Sequence, residues 1–465
     1  MVKDTIVAIS TCPGESGIGI IRVSGNNAIQ IVDEIYINKN NLHTLKNYKT
    51  HTIHYGYIID SEKYVIDEVM VSIMKSPNSY TREDVVEINC HGGIRICRNI
   101  LDLLIQKGAR IAEPGEFTKR AFLNGRLDLT RAEAVMDAIK ASSDIAIKSS
   151  VNQIRGSLYN KLNNICSDLL YEIAFIESAL DDPDSISLDG YEDKLLDTIS
   201  KISNDLIKLI KSYDEGKIIS EGIKTVIIGK PNAGKSSLLN SLMEEERAIV
   251  TNIPGTTRDT LTETIKIGQA ILKITDTAGI RQTIDPIENI GVNKARNEIS
   301  NSDLVLLVCD SSEEFSFDDL DIVNLLADKN IIVLLNKIDL ESITNKEKLE
   351  IIFKNNNIQV QDIIECSIKN NQGIEELKQT INELFFNGKI YTNEEIIITN
   401  LRHIEHLKNS LASLEKVKQS INNGYPEDFY SIDLTDAYSS LAKITGAEVS
   451  EDIVNEIFSK FCMGK

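Results

Sequence analysis

Gly229-Lys230-Pro231-Asn232-Ala233-Gly234-Lys235-Ser236 is the stretch whose reading decides the fold. It fits GxxxxGK[ST]. The apolar run Lys224-Thr225-Val226-Ile227-Ile228 precedes it as a strand, and a helical segment follows, the context this pattern requires. Small residues let successive backbone N–H groups turn onto phosphate oxygens, and the helix adds the positive end of its dipole. In that geometry Asn232, Ala233, Gly234, Lys235, Ser236 and Ser237 surround the phosphates. Lys235 supplies a point charge to the outer phosphates and Ser236 a hydroxyl for Mg²⁺.

Two further motifs lie downstream in order. Asp276-Thr277-Ala278-Gly279 ends one strand, and Asn336-Lys337-Ile338-Asp339 ends another. The Asp339 carboxylate can accept two N–H bonds from guanine, which adenine does not offer. The ordered set points to a guanine nucleotide. Ser367-Ile368-Lys369, after Cys366, falls where a loop backs the base. Between the first two motifs lies Thr251-Asn252-Ile253-Pro254-Gly255-Thr256-Thr257. Thr257 is the residue expected to close on Mg²⁺ and the γ-phosphate, in a loop ordered by that phosphate.

The position after Gly279 is Ile280, where many GTPases carry a Gln that orients water. Isoleucine cannot do this. Either hydrolysis is slow, or another residue acts, with Gln282, Asp285 and Glu288 as candidates. For the transition-state cation the candidates are Arg258, Arg281 and a bound metal ion, toward which the Asn232 amide oxygen is placed.

Around this stretch the alternation of strands and helices over 218–385 predicts a mixed, mostly parallel sheet with helices on both faces. Thr262–Ile267 and Ala270–Thr275 are joined by two residues and should run antiparallel. Residues 1–118 read as α+β, with strands at Thr5–Ser10, Ile20–Val23, His51–Ile59, Val65–Met74 and Val85–Ile88 and a helix over 92–107. The Gly14, Gly17 and Gly19 loop matches no phosphate pattern and reads as a tight turn. Residues 119–217 and 386–465 read as helical. Thr130 with Glu133 fits a capping box, and Val151 to Ile176 form one apolar stripe over seven turns. Leu195 opens a further helix. Ser450 reads as an N-cap, and Ile453, Ile457, Phe458 and Phe461 as a buried face. The last residues read as a frayed tail.

At 465 residues the chain exceeds one core, and ~100–200 residues per domain suggests three domains. Apolar content is an ordinary 42%. No run approaches a transmembrane length and the start lacks a signal-peptide pattern, so a cytoplasmic protein is expected. Seven scattered cysteines without a CxxC pair indicate neither a disulfide framework nor a zinc site. A net charge of −20 excludes coating nucleic acid by bulk electrostatics and leaves room for a local patch or a basic partner.

Beyond the generic motifs, Pro77-Asn78-Ser79-Tyr80-Thr81, Glu83-Asp84-Val85-Val86-Glu87, Cys90-His91-Gly92-Gly93, Pro114-Gly115-Glu116-Phe117-Thr118, Arg120-Ala121-Phe122-Leu123-Asn124-Gly125 and Phe461-Cys462-Met463-Gly464-Lys465 occur in order. With these the whole chain resembles the tRNA modification GTPase family MnmE, also called TrmE. The resemblance implies a tetrahydrofolate-binding N-terminal domain that forms a homodimer (1–118). It implies a discontinuous helical domain (119–217 and 386–465) with a Ras-like P-loop GTPase domain inserted (218–385). It also implies a K⁺-dependent GTPase working with a flavoprotein, MnmG or GidA, in a heterotetrameric or larger complex. Together they place an aminomethyl or carboxymethylaminomethyl group on the 5-position of the wobble uridine of certain tRNAs, using a folate one-carbon donor.

By the same resemblance, K⁺ is held by Asn232, Thr251, Ile253 and Thr256, and Glu288 is the catalytic residue. The folate site carries over to Arg22, Glu87, Arg126 and Lys465, with 5-formyltetrahydrofolate as a stable ligand. The family often has Lys at position 126, and an Arg fork bonds differently. Cys462 matches a tail cysteine considered for the modification chemistry. The aromatic residue the family commonly shows near Asp181-Asp182-Pro183 is absent here, and a packing change is expected. The competing reading is a GTPase switch that assembles a ribosome or RNA particle without chemistry. Arg22, Glu87 and the tail separate the two, because a pure switch needs no folate pocket.

Overall fold

The computed structural model describes residues 4–188, 190–245, 262–275, 298–315, 329–386, 396–462 and 464. It divides into two units: 1–136 with 153–199 and 409–465, and 137–152 with 200–408.

The first unit is built on a seven-stranded sheet. Its strands are β1 (Ile6–Ile9), β2 (Gly19–Ser24), β3 (Tyr36–Ile37), β4 (Thr52–Ile59), β5 (Val65–Met74), β6 (Val85–Cys90) and β7 (Arg110–Ile111). They lie in the order β3-β4-β5-β6-β2-β1-β7. All neighbours are antiparallel except β1 and β7. Alternation explains which face is buried: Val69, Val71 and Ile73 on β5, Ile21 and Val23 on β2, and Val86 and Ile88 on β6 all point into one core. The helices Ala28–Asp33 and Ile94–Gln106 close that core with Val32, Ile100 and Leu104. Arg22 lies between Ile21 and Val23 and therefore faces the other side, directly opposite Glu87 in the β2/β6 register. β3, β7 and the helix Ala28–Asp33 escape sequence reading because two to six residues hold no measurable period.

Several helical expectations need correction. The helix Leu129–Lys140 begins one residue before Thr130, and the side chain of Asp128 accepts the Arg131 N–H. Asp128 is the cap, and buried Thr130 donates its hydroxyl to it instead. The apolar stripe from Val151 is not one helix. It is split between Asp144–Ile154 and Ser157–Asp181 at Gly156, whose φ is +94°. A Cβ there would lie 2.0 Å from Arg131 Nη2, so the break also makes room for the guanidinium. The helix expected from Leu195 runs from Tyr191 to Glu221. Ser450 holds the N-cap position of Glu451–Ser459 but its side chain makes no capping bond. Ile453 is exposed, and Val454 takes its place with Phe458 and Phe461 against Leu129, Ala132 and Met136.

The second unit carries a six-stranded sheet. Its strands are β8 (Ile223–Ile228), β9 (Thr262–Ile267), β10 (Ala270–Thr275), β11 (Leu304–Asp310), β12 (Asn330–Asn336) and β13 (Asp362–Glu365). The order is β13-β12-β11-β8-β10-β9, with only the β9/β10 hairpin antiparallel, as its two-residue turn predicts. Ile227, Leu306 and Leu334 face one core with Leu238, Leu242, Leu377 and Ile381. Val226, Val305 and Val333 face the other with Leu349 and Phe353. The central strands are thus buried on both faces, which is why they read as unbroken apolar runs. The molecule is a multidomain α/β protein. Among the described residues no helix is long and apolar enough to cross a membrane.

Candidate functional sites

The first site forms at the carboxyl ends of the parallel strands, where open α/β sheets bind ligands. The loop after β8 turns through Gly229 (φ +144°), Asn232 (+63°) and Gly234 (+111°) into the helix Lys235–Glu245. Lys235 Nζ donates to the carbonyls of Gly229 and Lys230 at 2.7 and 2.5 Å, which folds its ammonium over the loop.

Asn336, 4% exposed at the end of β12, ties three motifs together. Its Nδ2 donates to the Ala233 carbonyl at 2.8 Å, and its Oδ1 accepts the Ile368 N–H at 3.1 Å. Buried Ser367 donates its hydroxyl to Asp339 Oδ1 at 2.7 Å. That bond holds the carboxylate at the wall of a pocket. Ser367 itself is held by paired backbone bonds with Gln372.

The result is a pocket of about 660 Å³, a size suited to a small-molecule ligand. Asn232, Gly234, Ser237, Asn336, Lys337, Asp339, Ile368 and Lys369, all expected from sequence, line it together. Ala233 is buried under the loop, and Lys235 and Ser236 open the following helix. Thr251, Asn252, Ile253, Pro254, Gly255, Thr256, Thr257, Asp276, Thr277, Ala278, Gly279 and Glu288 lie outside the described residues. The donors placed here, the Ser236 hydroxyl and the Asn232 amide, are oxygen ligands suited to hard cations.

The second site lies on the first sheet, on the face opposite its core. Arg22 Nε donates to Glu87 Oε1 at 2.8 Å, and its Nη2 lies 2.8 Å from the same oxygen. Arg22 Nη1 also donates to the Gly464 carbonyl at 3.2 Å, as does Ser10 Oγ. The tail is therefore docked and not frayed. The Gly115 N–H donates to the Cys462 carbonyl, and Phe461 is buried. Gly464 (φ +85°) passes so close to β1 that a Cβ would lie 2.7 Å from the Ile9 carbonyl, which only glycine allows.

Arg22 also lies 5.7 Å from the ring centres of Tyr80 and Phe117, and Arg126 lies 4.7 Å from Tyr80, within cation–π range. Arg126 Nη1 donates to the Tyr80 carbonyl. The Tyr80 hydroxyl lies 3.0 Å from Thr118 Oγ1. Arg22, Glu87 and Arg126 thus share one surface, while Lys465 lies outside the described residues. Cys462 is exposed, and its carbonyl, not its thiol, carries the observed contact.

Sequence reading did not assign a role to Tyr80, Phe117, Thr118 or the Gly464 carbonyl. The first three were visible only as family motifs. The helix Glu116–Leu123 that carries Phe117 and Thr118 is anchored by an ion network. Arg120 reaches Asp4, Glu83 and Glu116, and Arg110 reaches Glu116 at 2.6 Å. Burial raises the Glu116 pKa, but the hydrogen bonds from Arg110, the Glu113 backbone and Arg120 outweigh it and hold the carboxyl below its ordinary value.

Two family profiles match the chain. The profile described as GTP-binding protein TrmE N-terminus matches residues 5–126, and that described as MnmE helical domain matches 129–462. A protein of Lachnoclostridium phytofermentans named tRNA modification GTPase MnmE is 48% identical over 465 residues, covering 100% of both chains. One of Thermoanaerobacter pseudethanolicus with the same name is 47% identical over 469 residues, again covering 100% of each. Among solved structures, the G domain of the T. maritima FeoB iron transporter is similar at 25% identity. It covers 35% of this chain and 97% of that one, with a TM-score of 0.24. Similarity over the full length to these relatives shows that the chain belongs to the MnmE (TrmE) family of tRNA modification GTPases.

Proposed function

We propose that this chain hydrolyses GTP to drive modification at the 5-position of the wobble uridine of certain tRNAs, in complex with a flavoprotein and as a homodimer through residues 1–118. A folate derivative supplies the one-carbon unit at Arg22, Glu87, Arg126 and Lys465. The observation that carries this reading over a bare GTPase switch is the Arg22 cluster. A cation bonded at once to Glu87 and to the tail carbonyl of Gly464, beside two aromatic rings, is a built site that a switch would not need. An aromatic wall with fixed charges suits a flat, polar, anionic ligand such as a reduced pterin with a glutamate tail.

In the GTPase part, Lys235 and the loop N–H groups bind phosphates, and Ser236 with Thr257 would hold Mg²⁺. Asn232, with Thr251, Ile253 and Thr256, would hold K⁺. Such cations neutralise charge developing on the transferred phosphate. Glu288 orients the attacking water. The domain division at 118, 217 and 385 belongs to the same proposal, as does a cytoplasmic location.

Steady-state hydrolysis in K⁺ and in Na⁺ tests the GTPase part. Turnover should fall at least tenfold (~1.4 kcal/mol) in Na⁺, and Glu288→Ala should abolish hydrolysis while GTP affinity stays within about twofold. Equal rates in both salts, or a large loss of affinity in the variant, would remove the ion or the glutamate from the mechanism.

A further inference from the structure

We infer that Asp310 is a positioning residue for guanine-nucleotide binding, acting through Lys337. The inference rests on the reading of the 660 Å³ pocket as the guanine site and extends it to a residue outside that pocket. Asp310 is the last residue of β11 and pairs in register with Asn336, the residue before Lys337. Its carboxylate is nearly buried, with 8% of the side chain exposed. Oδ1 accepts from the Ser312 N–H at 3.0 Å and the Ser312 hydroxyl at 2.7 Å. Oδ2 lies 2.5 Å from Lys337 Nζ.

Lys337 stands in an uncommon place. Its φ is +67°, a left-handed conformation that costs a long side chain and persists only when surroundings enforce it. Lys337 lines the base pocket and Asp310 does not. The ammonium is therefore drawn to Asp310, while the same residue contributes to the pocket wall. A lysine held at its tip presents its alkyl stem as an apolar surface, the kind a flat base packs against. Without Asp310 the charged tip is free to swing into the pocket or into water, and that wall is lost. Asp310 reads as ionised by the same geometry. Burial raises its pKa, but the Lys337 and Ser312 bonds prevail and hold it below the ordinary value.

A double-mutant cycle tests the pairing, with the dissociation constant of fluorescent (mant) GDP as readout. In the otherwise wild-type full-length protein, Asp310→Asn should weaken binding about tenfold. In a Lys337→Met background the same change should alter it less than about twofold, because Asp310 then has nothing to position. The same loss in both backgrounds means that Asp310 acts on the fold in general, and overturns the inference. Where Asp310→Asn does not fold, Ser312→Ala takes its place. It frees one bond to the carboxylate and should weaken binding about threefold, again only when Lys337 is present. Failure of the underlying pocket reading looks different: wild-type protein would bind mant-ADP as tightly as mant-GDP.

Discussion

Asp339→Asn should turn guanine preference into xanthine preference. The carboxylate is held by the Ser367 hydroxyl and lines the pocket. Guanine offers two N–H donors to it. Asparagine keeps one oxygen, which can still accept from Ser367, but turns an NH₂ donor toward the guanine amino group. Two donors then face each other without an acceptor, and a site built to pair a base edge rejects the wrong partner steeply. Affinity for GDP should fall roughly 10³-fold, while xanthosine diphosphate, with a carbonyl at the amino position, should gain by a comparable factor. Titration of both nucleotides against both proteins checks this. Equal loss for both would make Asp339 a support for the Ser367 loop and not the base reader.

The second large effect concerns the tail. Removing residues 462–465 takes away the Gly464 carbonyl that accepts from Arg22 and Ser10, and the Cys462 carbonyl bonded to Gly115. Phe461, buried with Phe458, remains. Arg22 keeps Glu87 but loses the contact that fixes its second edge. Binding of 5-formyltetrahydrofolate, measured by calorimetry, should weaken at least a hundredfold, with GDP affinity unchanged within about twofold. The lost backbone bonds should cost only about 1–3 kcal/mol of stability, so the protein stays folded. Undiminished folate affinity would move the ligand away from this face of the sheet.

The elements the sequence predicts well are those with enough residues to carry a period. β5 alternates over ten residues, β11 and β12 are unbroken apolar runs, and the motif residue Asn336 closes β12. The residues that line the 660 Å³ pocket are equally legible, because most of them lie in short contiguous motifs that the fold brings together. What escaped depends on partners far away in sequence. The tail looked free because Phe461 and Gly464 meet residues more than 300 positions earlier, around Leu129 and Ser10. The stripe from Val151 looked continuous because one glycine at a polar position does not interrupt its period, although Gly156 breaks the helix. Thr130 looked like a cap because its hydroxyl and Glu133 have the right spacing. Asp128 sits two residues earlier, and its side chain accepts the Arg131 N–H instead. The Asp310–Lys337 pair joins two strand ends with no motif on one side, so no local pattern announces it.

In the proposed function, nucleotide hydrolysis and the Arg22 surface serve one reaction on tRNA. Nucleoside analysis of tRNA from cells lacking this protein tests it most directly. The aminomethyl or carboxymethylaminomethyl group should disappear from the 5-position of the wobble uridine. Wild-type protein should restore it, and neither Glu87→Ala nor Glu288→Ala should. An unchanged wobble nucleoside in those cells, with GTP hydrolysis intact in the purified protein, would contradict it.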